Sequence, residues 1–203
     1  TDSLVGSEMC IRDRPDTALI GSDEPIVLPL EAENVEHECE LAIVVGRQAR
    51  RIPRENALDY VFGYTCANDV SERVIQNREM TSGALLIGKS FDSFCPVGPV
   101  IATDLDPGSL TLETRVNGEL RQQGSTSDLL FDVPYLVSYL SQAITLLPGD
   151  LILTGTPSGV GPLTAGDICE ISISGIGTLS NPVVSEQALS LIHISEPTRL
   201  SVI

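Results

Sequence analysis

His37-Glu38-Cys39-Glu40-Leu41-Ala42-Ile43-Val44-Val45-Gly46 is the stretch on which the fold turns. Its apolar, β-branched second half reads as a buried strand over residues 38–45. Strand alternation then projects Glu38 and Glu40 from one face, beside Ala42 and Val44. Two carboxylates held so close repel each other, and a hard cation between them relieves the repulsion. Taken alone, the pair describes a solvated sheet face at least as well. A third oxygen donor shifts the balance toward a cation site, and Asp69 offers one at the end of the next strand-like run, residues 61–67.

Moving outward, the two ends of the chain share an origin unrelated to the fold. Residues 189–199, LSLIHISEPTR, read as the translation of a transposon adapter used to build sequencing libraries. The reverse complement of the same DNA, read one base in, encodes LVGSEMCIRD, which is residues 4–13, and the next codon supplies Arg14. An amphipathic tail does not explain that complementarity. Residues 1–14 and 189–203 are therefore expected to be adapter-derived and are set aside. The expected domain is residues 15–188, lacking its N-terminal part.

That stretch is the size of one ordinary domain with a core that needs no disulfides. The formal charge is −16, nearly all of it inside the domain, so the surface repels phosphate backbones and nucleic acid is not an expected partner. Cys39, Cys66, Cys95 and Cys169 show no CxxC spacing and sit in apolar runs, the pattern of buried reduced thiols. No apolar run reaches transmembrane length, so no membrane partner is expected and the default location is the cytoplasm.

Short strands broken by Gly and Pro dominate the pattern. Strands are predicted over 25–30, 38–45, 61–67, 151–153, 168–174 and 178–184, with a short helix over 54–59. Residues 111–116 and 119–122 flank Asn117-Gly118, a type I′ hairpin signal. One longer helix is predicted from Val133, Leu136, Val137, Leu140, Ile144 and Leu147 on one face, with Asp132 as its N-cap. The expected fold class is α+β, mainly β, with one main helix.

Gly83-Ala84-Leu85-Leu86-Ile87-Gly88-Lys89-Ser90 fits the phosphate-loop pattern GxxxxGK[ST]. That loop needs a hydrophobic strand before it and a helix after it. Polar residues precede it here, and Pro96 and Pro99 follow too soon for a helix, so a nucleotidase is rejected. Residues 84–87 read better as a strand delivering Lys89, the only lysine in the chain. A partly enclosed ammonium there could neutralise a carboxylate or a developing enolate.

Several of these runs together resemble the fumarylacetoacetate hydrolase family. They are Glu38-Cys39-Glu40-Leu41-Ala42, Phe62-Gly63-Tyr64-Thr65-Cys66-Ala67-Asn68-Asp69-Val70-Ser71, Gly88-Lys89-Ser90-Phe91-Asp92, the Asn117-Gly118 hairpin, and Pro148-Gly149-Asp150 through Thr154-Gly155-Thr156-Pro157. The resemblance implies the family's C-terminal β-roll of mixed sheets, a homodimer, and Mg²⁺ or Mn²⁺ held by Glu38, Glu40 and Asp69. Three carboxylates suit such a hard cation independently. The resemblance also implies Lys89 as an active-site group, with Arg73, Gln76 and Thr156 facing substrate. Arg73 is as readily the partner of a structural acid, and Arg73 and Gln76 as readily an exposed polar turn.

A 2-oxo acid chelated through its carboxylate and keto oxygens would have its enolate stabilised. The resemblance therefore implies hydrolysis of C–C bonds in acylpyruvate- or fumarylpyruvate-like acids as the first expectation. Isomerisation or decarboxylation of 2-oxo diacids in aromatic catabolism, as by 2-hydroxyhepta-2,4-diene-1,7-dioate isomerases, is the alternative, and a non-enzymatic metal-binding β-domain the third. One departure matters. The family's water-activating His-x-x-Glu pair has no counterpart before Glu38, and hydrolysis requires that base. This chain is thus expected to bind metal and turn over little. His193 belongs to an adapter-derived end. His37 is expected to be an exposed strand residue rather than one that orients the metal carboxylates.

Overall fold

The computed structural model describes residues 14–83 and 85–187. The expected adapter-derived ends, apart from Arg14, lie outside the described residues, as do His193 and Ala84.

Thirteen strands and two α-helices follow one another along the described chain. The first half holds β1 (Leu19–Ile20), β2 (Ile26–Leu28), β3 (Val35–His37), β4 (Cys39–Val45), β5 (Val61–Asn68), β6 (Ser71–Glu72), α1 (Arg73–Thr81) and β7 (Cys95–Ala102). The second holds β8 (Thr111–Val116), β9 (Glu119–Ser125), α2 (Val133–Ala143), β10 (Leu151–Leu153), β11 (Gly161–Pro162), β12 (Ile168–Ile173) and β13 (Gly177–Ser185). They form two five-stranded sheets, β1-β7-β5-β4-β10 and β2-β13-β12-β8-β9, and a three-stranded sheet, β11-β3-β6. The mixed-sheet, mainly β architecture matches the expected class.

β4 explains why the core sits where it does. All seven of its residues are buried, as in a strand covered on both faces. Cys39, Leu41, Ile43 and Val45 point into the main hydrophobic cluster with Ile171, Ile173 and Leu179 of the other large sheet. The alternate face carries Glu40, Ala42 and Val44. Contacts such as Cys66 Sγ to the Gly177 carbonyl, 3.6 Å, and Asn68 Nδ2 to Cys169 Sγ, 3.4 Å, join the two large sheets. The four thiols are free and buried. Burial pushes those of Cys66 and Cys169 up to about 12, which keeps them protonated and inert.

Turn chemistry falls where the sequence puts it. Asn117 and Gly118 both take positive φ, 52° and 80°, as a type I′ hairpin between β8 and β9 requires. The Asp132 side chain accepts from Tyr135 N at 2.8 Å and caps α2.

Three expectations are corrected. Strand 38–45 is interrupted: Glu38 belongs to neither β3 nor β4, because its N–H donates to the Asn68 side chain at 2.9 Å instead of to a ladder. Helix α2 stops at Ala143, leaving Ile144 and Leu147 exposed. The cause is a pair of backbone hydrogen bonds between Leu146 and Ala49, both 2.9 Å, that draws the chain into an extended bridge. Finally, Leu85 and Leu86 are irregular and Ile87–Lys89 is a 3-10 turn rather than the end of a strand.

Candidate metal and substrate site

Glu38, Glu40 and Asp69 are all buried, and one carboxylate oxygen from each lies within 4.8 Å of the other two. The β4–β5 ladder brings them together. Glu40 pairs with Ala67 in register, Glu38 stands just before β4, and Asp69 stands just after β5. Asp69 N donates to the Glu38 carbonyl at 2.8 Å, so the two acids are joined through their backbones. Glu40 Oε2 accepts from Gly155 N at 2.6 Å.

Carboxylates buried this closely need compensating charge. Lys89 Nζ donates to Glu38 Oε2 at 2.8 Å and forms an ion pair with Asp69. Arg73 reaches Glu38 Oε1 at 2.5 Å and Glu36 Oε2 at 2.6 Å. Burial opposes ionisation of Glu38, but Lys89 and Arg73 outweigh it and hold the carboxyl below its ordinary range. Arg14, which the sequence reading sets aside with the leading segment, is ion-paired with Asp69 and donates to the carbonyls of Lys89 and Phe94. The donor set is all oxygen, triply anionic and enclosed. It fits a hard divalent cation and does not fit a thiophilic one.

Arg73 and Gln76 occupy one face of α1, three residues apart, and Arg73 Nη1 donates to Gln76 Oε1 at 2.7 Å. The helix begins on Glu72, whose buried carboxylate accepts from Ile75 N at 2.6 Å and also holds Glu33 N and Asn34 N. In this structure Arg73 is ion-paired with Glu36 and Glu38. Gln76 is buried and not part of an exposed turn.

Lys89 arrives by a different route. The Glu79 side chain, projecting from α1, accepts hydrogen bonds from Leu86 N, Ile87 N and Gly88 N at 3.2, 2.7 and 3.0 Å. These are amides of the stretch that imitates a phosphate loop. A carboxylate of the chain itself occupies the anion-binding concavity.

Thr156 sits in the turn after β10, and its Oγ1 accepts from Gln122 Nε2 at 2.8 Å. Gln122 Oε1 in turn meets His37 Nδ1 at 2.9 Å. His37 is fully buried, correcting the expectation of an exposed strand residue: β3 lies inside the three-stranded sheet and Gln122 satisfies the ring. Burial pushes its pKa below the ordinary value, against the Gln122 hydrogen bond that raises it, so the ring is neutral at pH 7. Sequence reasoning missed Gln122, Glu79, Asn68 and Glu36. Gln122 is the one buried residue of β9, which nothing in the local sequence signals.

The family described as Fumarylacetoacetate (FAA) hydrolase C-terminal matches residues 10–184. A Mycobacterium tuberculosis protein is 50% identical over 174 residues, which cover 84% of this chain and 64% of that protein. An oxaloacetate tautomerase of Bacillus subtilis is 48% identical over 159 residues, 73% of this chain and 52% of the relative. The chain therefore spans between about half and two thirds of these relatives. Among solved structures, 2-hydroxyhepta-2,4-diene-1,7-dioate isomerase from Mycobacterium marinum superposes with a TM-score of 0.81 at 49% identity, covering 85% of this chain and 68% of that one. Fumarylpyruvate hydrolase from Pseudomonas aeruginosa, solved with Mn²⁺ and pyruvate, superposes with a TM-score of 0.81 at 35% identity, covering 85% and 77%.

Proposed function

Because this chain belongs to the fumarylacetoacetate hydrolase family, we propose that it carries the metal-binding part of an enzyme that acts on 2-oxo acids by keto–enol chemistry. The observation behind this reading is the buried triad of Glu38, Glu40 and Asp69 with Lys89 against two of its members. In it the three carboxylates would hold Mg²⁺ or Mn²⁺. When bound, the cation supplies Lewis-acid polarisation of the acid's carboxylate and 2-oxo oxygens. Lys89 Nζ, which meets Glu38 and Asp69, would hydrogen-bond that oxygen as negative charge develops on it, or exchange a proton with it. Arg73 fixes Glu38 and Glu36, and Gln76 borders the acid from the same helix face. Thr156 and the amides of its turn bind the acid's carboxylate.

Proton transfer between keto and enol forms is the step these residues support most directly, since it asks for one polarised oxygen and one mobile proton. The oxaloacetate tautomerase and isomerase relatives accord with it. C–C hydrolysis of acylpyruvate-like acids is the second reading, favoured by the relative solved with Mn²⁺ and pyruvate. It needs a water-activating base, and the one histidine among the described residues has its Nδ1 turned to Gln122. A homodimer belongs to the same reading and is checked by light scattering. For the site itself, Glu40→Ala is expected to abolish stoichiometric Mn²⁺ binding in calorimetry, together with any acceleration of the decay of enol oxaloacetate. Unchanged Mn²⁺ binding in that variant removes the metal assignment.

A further inference from the structure

We propose that Gln122 is a positioning residue that fixes the Thr156 hydroxyl as a hydrogen-bond donor toward the carboxylate of the bound acid. The proposal deepens the 2-oxo acid reading and rests on it.

Gln122 is buried and its carboxamide has five partners. Oε1 accepts from Cys39 N at 3.1 Å and from Thr114 Oγ1 at 2.8 Å, and meets His37 Nδ1 at 2.9 Å. Nε2 donates to the Pro157 carbonyl and to Thr156 Oγ1, both at 2.8 Å. A glutamine amide can normally be turned end for end, but two of these partners forbid it. The Cys39 N–H can only donate, and the Pro157 carbonyl can only accept. Each fixes one end of the amide, and together they fix it twice.

The remaining protons then have no choice. Thr156 Oγ1 is the acceptor of its bond with Gln122, so its own proton points elsewhere, and no acceptor among the described residues takes it. His37 must carry its proton on Nδ1. That leaves Nε2 as a buried lone pair with no hydrogen-bond partner among the described residues.

The turn is seated closely enough for this to hold. A Cβ on Gly159 would lie 2.2 Å from the Arg121 carbonyl oxygen, and one on Gly124 would lie 2.8 Å from Pro157 Cβ. The turn and β9 thus meet where side chains are absent. The same turn donates Gly155 N–H to Glu40. Gln122 therefore ties together the start of β4, which carries Glu40, and the threonine that faces the acid. A hydroxyl dipole oriented before the ligand arrives needs no reorganisation when it does.

The test is Gln122→Glu, whose carboxylate still accepts from Cys39, Thr114 and His37 but can no longer donate to Thr156. The threonine proton then turns back onto it. The probe is oxalate, titrated into Mn²⁺-loaded protein, in Gln122→Glu, in Thr156→Val and in the double variant. Expected are Mn²⁺ affinity like that of the wild type, oxalate affinity reduced about ten-fold by Gln122→Glu, and little further reduction when Thr156→Val is already present. An equal reduction in both backgrounds reflects only the added charge and overturns the proposal. ¹⁵N-imidazole NMR of the otherwise unaltered protein, assigned with His193→Gln, gives a second measurement that needs no folded Gln122 variant. His37 is expected as the neutral Nδ1–H tautomer, and an Nε2–H tautomer overturns the amide orientation. Wild-type protein that binds Mn²⁺ but not oxalate overturns the 2-oxo acid reading and the donor role with it, whereas the tautomer still judges the Gln122 network separately.

Discussion

Glu40 and Asp69 reach the site from one antiparallel ladder, whereas Lys89 reaches it from a segment with no ladder at all. In the first region, backbone hydrogen bonds between β4 and β5 set the spacing, and burial on both faces locks the register. In the second, the only regular element among the described residues is a 3-10 turn, in which the Glu79 side chain gathers three backbone amides. Leu86 and Ile87 there are exposed at 48% and 50%, so the apolar side chains that lead into the lysine add little burial. The contrast predicts an acid half that opens only when the whole protein unfolds and a lysine half that opens at lower cost.

Two glycines test that contrast with the same substitution. A Cβ on Gly63 of β5 would lie 2.5 Å from the Ala102 carbonyl oxygen, and the sheet cannot move aside there without breaking the β5–β7 pairing. Gly63→Ala is expected to cost about 3 kcal/mol, lowering the thermal midpoint by roughly 10 °C. A Cβ on Gly88 would lie 2.8 Å from Gln76 N, a comparable overlap. The lysine segment can retreat from α1, so Gly88→Ala is expected to cost only about 1 kcal/mol globally. It is expected to lower catalytic efficiency about ten-fold, because Lys89 moves with it. Calorimetric melting beside steady-state kinetics separates the two. Equal losses of stability would show that both regions unfold as one unit.

The same contrast governed what could be read from the sequence. Alternation located β4, the face carrying Glu40, and Asp69 at the end of β5, because period-two patterns record burial directly. Asn117-Gly118 and Asp132 were legible because a turn or a cap has its own residue chemistry. The lysine segment was misread as a strand from its apolar residues, which in the fold face outward while its amides wrap Glu79. No local pattern links Glu79 to amides seven to nine residues on. His37 and Gln122 were lost for a similar reason: their contact spans 85 residues, and a buried glutamine in an otherwise exposed strand looks like any polar residue until its partners are in place.

Glu79 gives the smallest expected effect and the sharpest local one. Partial burial opposes its ionisation, but the amides of Gly88, Ile87 and Leu86 outweigh that and hold its carboxyl below the ordinary value. A depressed carboxyl contributes its stability in full above the ordinary value of 4.5 and loses it as pH falls through the lower folded value. The three amides of wild-type protein should therefore be protected from hydrogen exchange near neutral pH, and lose that protection in the acid range once intrinsic rates are divided out. Glu79→Gln has no charge to lose, so the same amides should exchange faster at neutral pH and show no acid transition. Since the group is partly solvated, the global cost should be about 1 kcal/mol or less. Exchange at the amides of Tyr64 and Cys66 in β5 should not change. If those slow amides accelerate in step with Leu86, Ile87 and Gly88, the lysine segment has no stability of its own, and the distinction between the two halves of the site fails.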